Sequence, residues 1–122
     1  MADIHYDVRN NGSSEYQFRP TGSSGSWSSN LNFAFGRYSG DTIHFHVAAT
    51  GHPFYLTCDA PQWPEVSNFS SGAYYGEYTC GVNNSRAEND ILSFTIPTDA
   101  PSELRYQCAH HSAMTGVINI VG

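Results

Sequence analysis

Apolar and polar residues alternate along short stretches of the chain, and clusters of turn-forming residues separate these stretches. The alternation is clearest in "GDTIHFHVAATG", residues 40–51, where Ile, Phe and Val alternate with His44 and His46. A period of two places apolar side chains on one face of a β-strand and polar ones on the other. Related patterns occur at residues 3–10, 15–20, 31–38, 52–58, 90–97, 103–108 and 116–122. No stretch has a convincing helical period.

These patterns predict seven or eight short strands, and therefore an all-β, antiparallel sandwich or barrel. The 122 residues fit one domain spanning 1–122, and no linker or repeat divides them. Residues 59–89 are the irregular part, rich in Pro, Ser, Gly, Tyr and Asn, and they leave room for one short helix.

Composition and charge exclude several kinds of partner. Charged residues make up 13%, the net charge is −6, and the chain has five arginines and no lysine. Since the arginines are scattered, no basic face for nucleic acid is predicted. No apolar run is long enough for a membrane span, and the first residues lack the features of a signal peptide. We therefore expect either a chain that is not exported by that route or a domain of something longer.

The chemistry of the chain concentrates in "YQCAHHSAMTG", residues 106–116. Cys108, His111 and Met114 are spaced three and three, between two predicted strands. A tight loop there can turn all three side chains toward one point. Zinc prefers Cys and His ligands, whereas two imidazoles, a thiolate and a weak axial thioether are typical of a blue-copper site. The pattern therefore favours copper.

A second histidine must come from elsewhere in the chain, and His52 is the natural candidate. It lies in a Gly-His-Pro corner directly before a predicted strand. Pro53 restricts the backbone there and removes one backbone donor. His110 is adjacent to His111 and could also reach a metal, or could simply face solvent. His44 and His46 lie on one face of a strand, either as a surface metal site or as the polar side of an amphipathic strand.

The motif Y-x-C-x-x-H-x-x-M-x-G-x-I, together with the upstream "GHPF", resembles the cupredoxins. The short Cys-x₂-His-x₂-Met spacing is similar to that of the amicyanins. Residues 31–56 and 90–121 also resemble cupredoxin-like domains of marine microbes and their phages, whereas residues 59–89 are not typical. The resemblance implies a Greek-key β-sandwich with one copper ion, held by His52, Cys108 and His111 as equatorial ligands and Met114 as the axial one.

The resemblance also implies a function, namely one-electron transfer with a redox partner protein rather than enzyme activity. If Cys108 is a copper thiolate, Cys58 and Cys80 are left as a pair that either forms a disulfide or remains two thiols. A disulfide would indicate an oxidising location, such as a periplasm, the cell exterior or a virion surface. Two alternatives remain: a copper-binding or metal-free structural module of a larger, phage-like protein, and a zinc site.

Overall fold

The computed structural model describes residues 3–29, 31, 34–57, 77–111 and 114–122. These residues form nine strands: β1 (Asp3–Asn11), β2 (Glu15–Pro20), β3 (Ala34–Gly36), β4 (Thr42–Ala48), β5 (Phe54–Thr57), β6 (Val82–Asn83), β7 (Ile91–Thr95), β8 (Glu103–Cys108) and β9 (Thr115–Val121). The described part of the chain contains no helix, and hence none that could cross a membrane.

The strands form two sheets. The first has five strands in the order β2-β1-β4-β7-β6, and the second has four in the order β3-β9-β8-β5. The chain changes sheet after β2, β3, β4, β5 and β7, so residues distant in sequence meet across the interior. The all-β sandwich predicted from the alternation is confirmed.

The prediction of purely antiparallel sheets is wrong in one respect, because β1 pairs in parallel with β4 and β3 in parallel with β9. Parallel pairing arises because the chain leaves the first sheet after β2, contributes β3 to the second, and returns beside β1. The structure also has one strand that the sequence patterns did not predict, namely β6. It has only two residues, Val82–Asn83, which is too short for an alternation to be visible in the sequence.

The two sheets enclose an aromatic core. Phe45 of β4 and Phe54 of β5 are completely buried, and their ring centroids lie 5.1 Å apart across the interior. Phe18 of β2 packs edge-on against Tyr106 of β8, with centroids 4.7 Å apart. Buried aromatic side chains of this size contribute large apolar areas, and their edge-to-face contacts add directional preference. The core therefore fixes β5 and β8, the strands on which the predicted ligands depend.

The two ends of segment 77–87 pair with the edge of β5, whereas β6 between them belongs to the first sheet. The backbone of Phe54 donates to Ala87 and accepts from Arg86, while Tyr78 donates to Leu56. Arg86 also forms a bidentate ion pair with Glu77, at 2.8 and 3.1 Å. Backbone pairing of this kind covers a sheet edge that would otherwise present unpaired groups. These contacts of residues 77–87, which belong to the irregular segment 59–89, therefore stabilise β5, the strand that follows His52.

Candidate metal centre

The loop between β8 and β9 is closed by hydrogen bonds across its base. The Cys108 amide donates to the Met114 carbonyl at 3.0 Å, and the Met114 amide donates to the His111 carbonyl at 3.1 Å. The fully buried Gln107 side chain donates through Nε2 to the carbonyls of Cys108 and His111, each at 3.0 Å. Because both ends are tied, the three predicted ligands of this loop are held in one compact turn.

The corner that carries His52 is held from three directions. Gly51 adopts a positive φ of 83°, and its amide donates to Glu88 Oε1 at 2.7 Å. The His52 amide donates to the Ala49 carbonyl at 2.9 Å. The His52 carbonyl accepts a hydrogen bond from the Tyr16 hydroxyl at 2.7 Å. The glycine permits a left-handed turn that other residues rarely adopt. The imidazole is thereby directed toward the β8–β9 loop.

The structure brings His52, Cys108 and His111 together. The Cys108 Sγ lies 3.7 Å from Nδ1 of His52 and 3.7 Å from Nδ1 of His111. The ligand atoms of all three side chains lie within 4.8 Å of one another. Cys108 is buried, whereas the two histidines are partly exposed. These three positions were predicted from the sequence, across a separation of 56 residues between His52 and Cys108.

The distances fit a metal ion bound by one sulfur and two nitrogens. With a metal–sulfur bond of about 2.3 Å, a metal–nitrogen bond of about 2.0 Å and an angle of about 120°, sulfur and nitrogen lie about 3.7 Å apart. The tetrahedral angle would bring them to about 3.5 Å with the same bonds. The observed separations of 3.7 Å therefore suit a single metal ion bound by these side chains without their rearrangement.

Met114 supplies the fourth predicted ligand. It belongs to the same loop and is completely buried close to the three other residues. A thioether is a soft, weak donor that suits copper better than zinc. Its backbone bonds to Cys108 and His111 place it beside both of them along the chain.

His110 does not join the cluster of ligand atoms among the described residues. Its backbone contributes instead, because the His110 amide donates to Cys108 Sγ at 3.4 Å. A donor to sulfur stabilises the thiolate form, which is the form that binds metal. The sequence left open which of the two adjacent histidines faces the metal, and the geometry selects His111.

The electrostatics of the site favour a neutral imidazole at His52. Burial lowers the pKa of His52 below its usual 6.5, and repulsion by His111 and His110 lowers it further, against a smaller opposite effect of Glu88. A neutral imidazole keeps the lone pair that a metal requires. Burial, and next the charge of Cys108, raise the pKa of Tyr16 well above its usual value, so this residue remains a protonated donor at neutral pH.

Three supporting residues escaped the sequence analysis, namely Gln107, Tyr16 and Glu88. Gln107 could have been noticed as a polar residue next to Cys108, at the end of a strand where the chain turns. Tyr16 gave no local signal, because its partner His52 lies 36 residues away.

Other sequence predictions lie partly outside the described residues. No disulfide is found in the described part of the chain, and Cys80 is an exposed thiol. Its predicted partner Cys58 lies outside the described residues. Cys108 is a free, buried cysteine, which is compatible with its predicted role as a metal ligand.

Comparisons with protein-family models and with curated proteins found no match to this chain. The likeness to cupredoxins therefore depends on the sequence motif, the β-sandwich and the arrangement of the four predicted ligands. What the structure establishes is an all-β fold with His52, Cys108, His111 and Met114 close together, an arrangement compatible with a copper site.

Proposed function

We propose that this protein is a cupredoxin-like electron carrier that binds one copper ion through His52, Cys108, His111 and Met114. One observation carries the proposal: two imidazole Nδ1 atoms each lie 3.7 Å from a buried cysteine sulfur, next to a buried methionine. This donor set is the one that selects copper in a trigonal site with a weak axial ligand.

The donor set also separates copper from zinc. Structural zinc sites use four Cys or His ligands in a tetrahedron. Here the fourth donor is a thioether, which is a poor ligand for zinc and a suitable one for copper. A copper ion in this site would supply reversible one-electron chemistry between Cu(I) and Cu(II). Since protein side chains fill all four positions, none is open for a substrate, which favours a carrier over an enzyme.

The chain supports electron transfer by holding the ligands in place. Gln107 closes the ligand loop, while Tyr16 and Glu88 fix the corner of His52. A site that does not rearrange when its charge changes loses little energy in reorganisation. His111 is partly exposed, so its ring offers a route from the site to a docked redox partner. An oxidising compartment such as the periplasm, the cell exterior or a virion surface remains our expectation for its location.

The first experiment is the visible absorption spectrum of the purified protein after addition of Cu(II). We expect an intense thiolate-to-copper band in the wild type and in Cys80→Ser, and no such band in Cys108→Ser. Cys80 is the matched control because it is an exposed thiol that does not belong to the cluster of ligand atoms. A folded wild type without the band would overturn the proposed site.

A second measurement separates an electron carrier from a copper-binding module of a larger protein. Repeated cycles of chemical reduction and reoxidation should bleach and restore the band without loss of copper. A band that cannot be reduced reversibly, or copper released on reduction, would contradict the carrier and leave a module in which the metal is structural.

A further inference from the structure

Tyr16 packs against both elements that carry the predicted ligands, although it belongs to neither of them. It lies on β2 of the first sheet and is almost completely buried. Its ring packs edge-on against Phe54 of β5, with centroids 5.0 Å apart, and against Tyr106 of β8, with centroids 6.1 Å apart. Since β5 begins two residues after His52 and β8 ends at Cys108, the Tyr16 ring is fixed between the two strands that hold the site together.

The hydroxyl of Tyr16 has one proton and two acceptors within reach. It donates to the His52 carbonyl at 2.7 Å. Burial raises the pKa of Tyr16 well above its usual value, and the charge of Cys108 and a hydrogen bond between these two side chains raise it further. The phenol therefore stays protonated beside the sulfur. Its single O–H is shared between a backbone carbonyl and the side chain that binds metal as a thiolate.

A donor to the Cys108 sulfur affects the two oxidation states of a bound copper ion unequally. A thiolate transfers more charge to Cu(II) than to Cu(I), and a hydrogen bond that draws charge from the sulfur opposes this transfer. Hydrogen bonding around the cysteine sulfur is one of the factors that set the reduction potential of such sites. Little water screens the effect in a buried site. The Tyr16 O–H therefore favours Cu(I).

The Tyr16 hydroxyl differs from the other donor to the same sulfur. The His110 amide, which lies 3.4 Å from the Cys108 Sγ, is part of the ligand loop itself. The Tyr16 hydroxyl comes from the opposite sheet, across the core. It can be removed by one isosteric substitution that leaves the backbone of the ligand loop and the packing of the ring unchanged.

We propose that the Tyr16 hydroxyl is a positioning group with two effects on the metal centre. It holds the His52 corner beside Cys108, and as a donor to the sulfur it raises the reduction potential of the bound copper. The second effect rests on the proposed function, whereas the first concerns the protein with or without metal. Tyr16 acts through the two ligands and is not itself a ligand.

The first test compares Tyr16→Phe with Tyr106→Phe and the wild type. Tyr106 is the matched control, because its buried side chain donates to a backbone carbonyl outside the ligand set, that of Ser29, at 3.3 Å. In redox titrations of the copper band, we expect Tyr16→Phe to lose about tenfold in its preference for Cu(I) over Cu(II). A tenfold change corresponds to a potential about 59 mV lower. The potential of Tyr106→Phe should equal that of the wild type.

The second test uses the metal-free protein. The His52 amide donates to the Ala49 carbonyl at 2.9 Å, so its hydrogen exchange reports how firmly the corner is held. We expect exchange about tenfold faster in Tyr16→Phe than in Tyr106→Phe. If the wild type gives no copper band, the proposed function fails, and the exchange rate alone then decides whether Tyr16 holds the corner. Equal rates in the two variants would refute that role.

A third protein keeps the hydroxyl and changes its strength as a donor. Tyr16→3-fluorotyrosine makes the phenol more acidic and therefore a stronger donor, so we expect its potential to lie above that of the wild type. This opposite change remains decisive should Tyr16→Phe fail to fold. A potential that is the same in Tyr16→Phe and Tyr106→Phe, or one that falls on fluorination, would show that the hydroxyl does not act on the sulfur.

Discussion

At the scale of single residues, the proposed copper centre depends on side chains that do not bind metal. Gln107 is completely buried, and its amide donates to the carbonyls on either side of the ligand turn. An apolar side chain at this position would leave two carbonyls without those donors. Partners that orient ligands in this way influence metal affinity strongly, because they fix the geometry before the ion arrives.

We expect Gln107→Leu to lower copper affinity by about 10- to 100-fold while the protein still folds. The loss follows from a ligand turn that is no longer tied across its base. The measurement is a competition titration against a chelator of known affinity. Gln17→Leu is the control, since the Gln17 side chain is hydrogen-bonded to Arg9 and Glu15 at the surface. An affinity for Gln107→Leu equal to that of the control would contradict the role of Gln107.

At the scale of elements, the strands were predictable from the sequence and the connections were less so. Alternation identified the strands that carry the core, because burial on one face imposes a period of two. It could not identify β6, which has two residues, or the parallel partner of β1, which depends on the order in which the chain changes sheet. His52 was predictable because Gly51 and Pro53 mark a corner in the sequence itself.

The turn before His52 contains a glycine in the left-handed conformation, and so does the turn between β1 and β2. Gly51 has a φ of 83° and Gly12, in the β1–β2 turn, a φ of 58°. A Cβ at either position would meet no atom within 4 Å, so the cost of alanine is the backbone strain alone. We expect Gly51→Ala and Gly12→Ala each to lower the free energy of unfolding by about 1 kcal/mol. Denaturant titrations of the two variants measure this loss.

Only Gly51→Ala should weaken the copper band, because only its turn aims His52 at Cys108. Gly12→Ala controls for the loss of stability, since its turn lies outside the contacts of the copper centre. Equal copper affinity in the two variants would contradict this prediction, because it would show that the position of His52 does not depend on the turn at Gly51.

At the scale of the whole molecule, the core is complete without metal. Both sheets contribute to one cluster of buried residues, and the ligand loop is closed by backbone and Gln107 hydrogen bonds. A domain of this size buries enough apolar surface to fold by itself, unlike small domains that need a metal. The four ligands were predictable because three lie within one short motif. Tyr16 and Glu88 were not, since they reach the site only through the fold.

We therefore expect the protein without metal to be folded and to unfold cooperatively, and copper to stabilise it further. An ion that binds only the folded state adds about 4 kcal/mol when its free concentration is a thousand times Kd. Thermal unfolding with and without copper should show a higher Tm for the loaded wild type, and a much smaller increase for Cys108→Ser, in which the thiolate is absent. Because exposed groups also bind copper, the difference between the two proteins isolates the contribution of the buried centre. An unfolded apoprotein would contradict this view, since the centre would then be needed to build the sandwich, and the protein would be a metal-stabilised module rather than a preformed carrier.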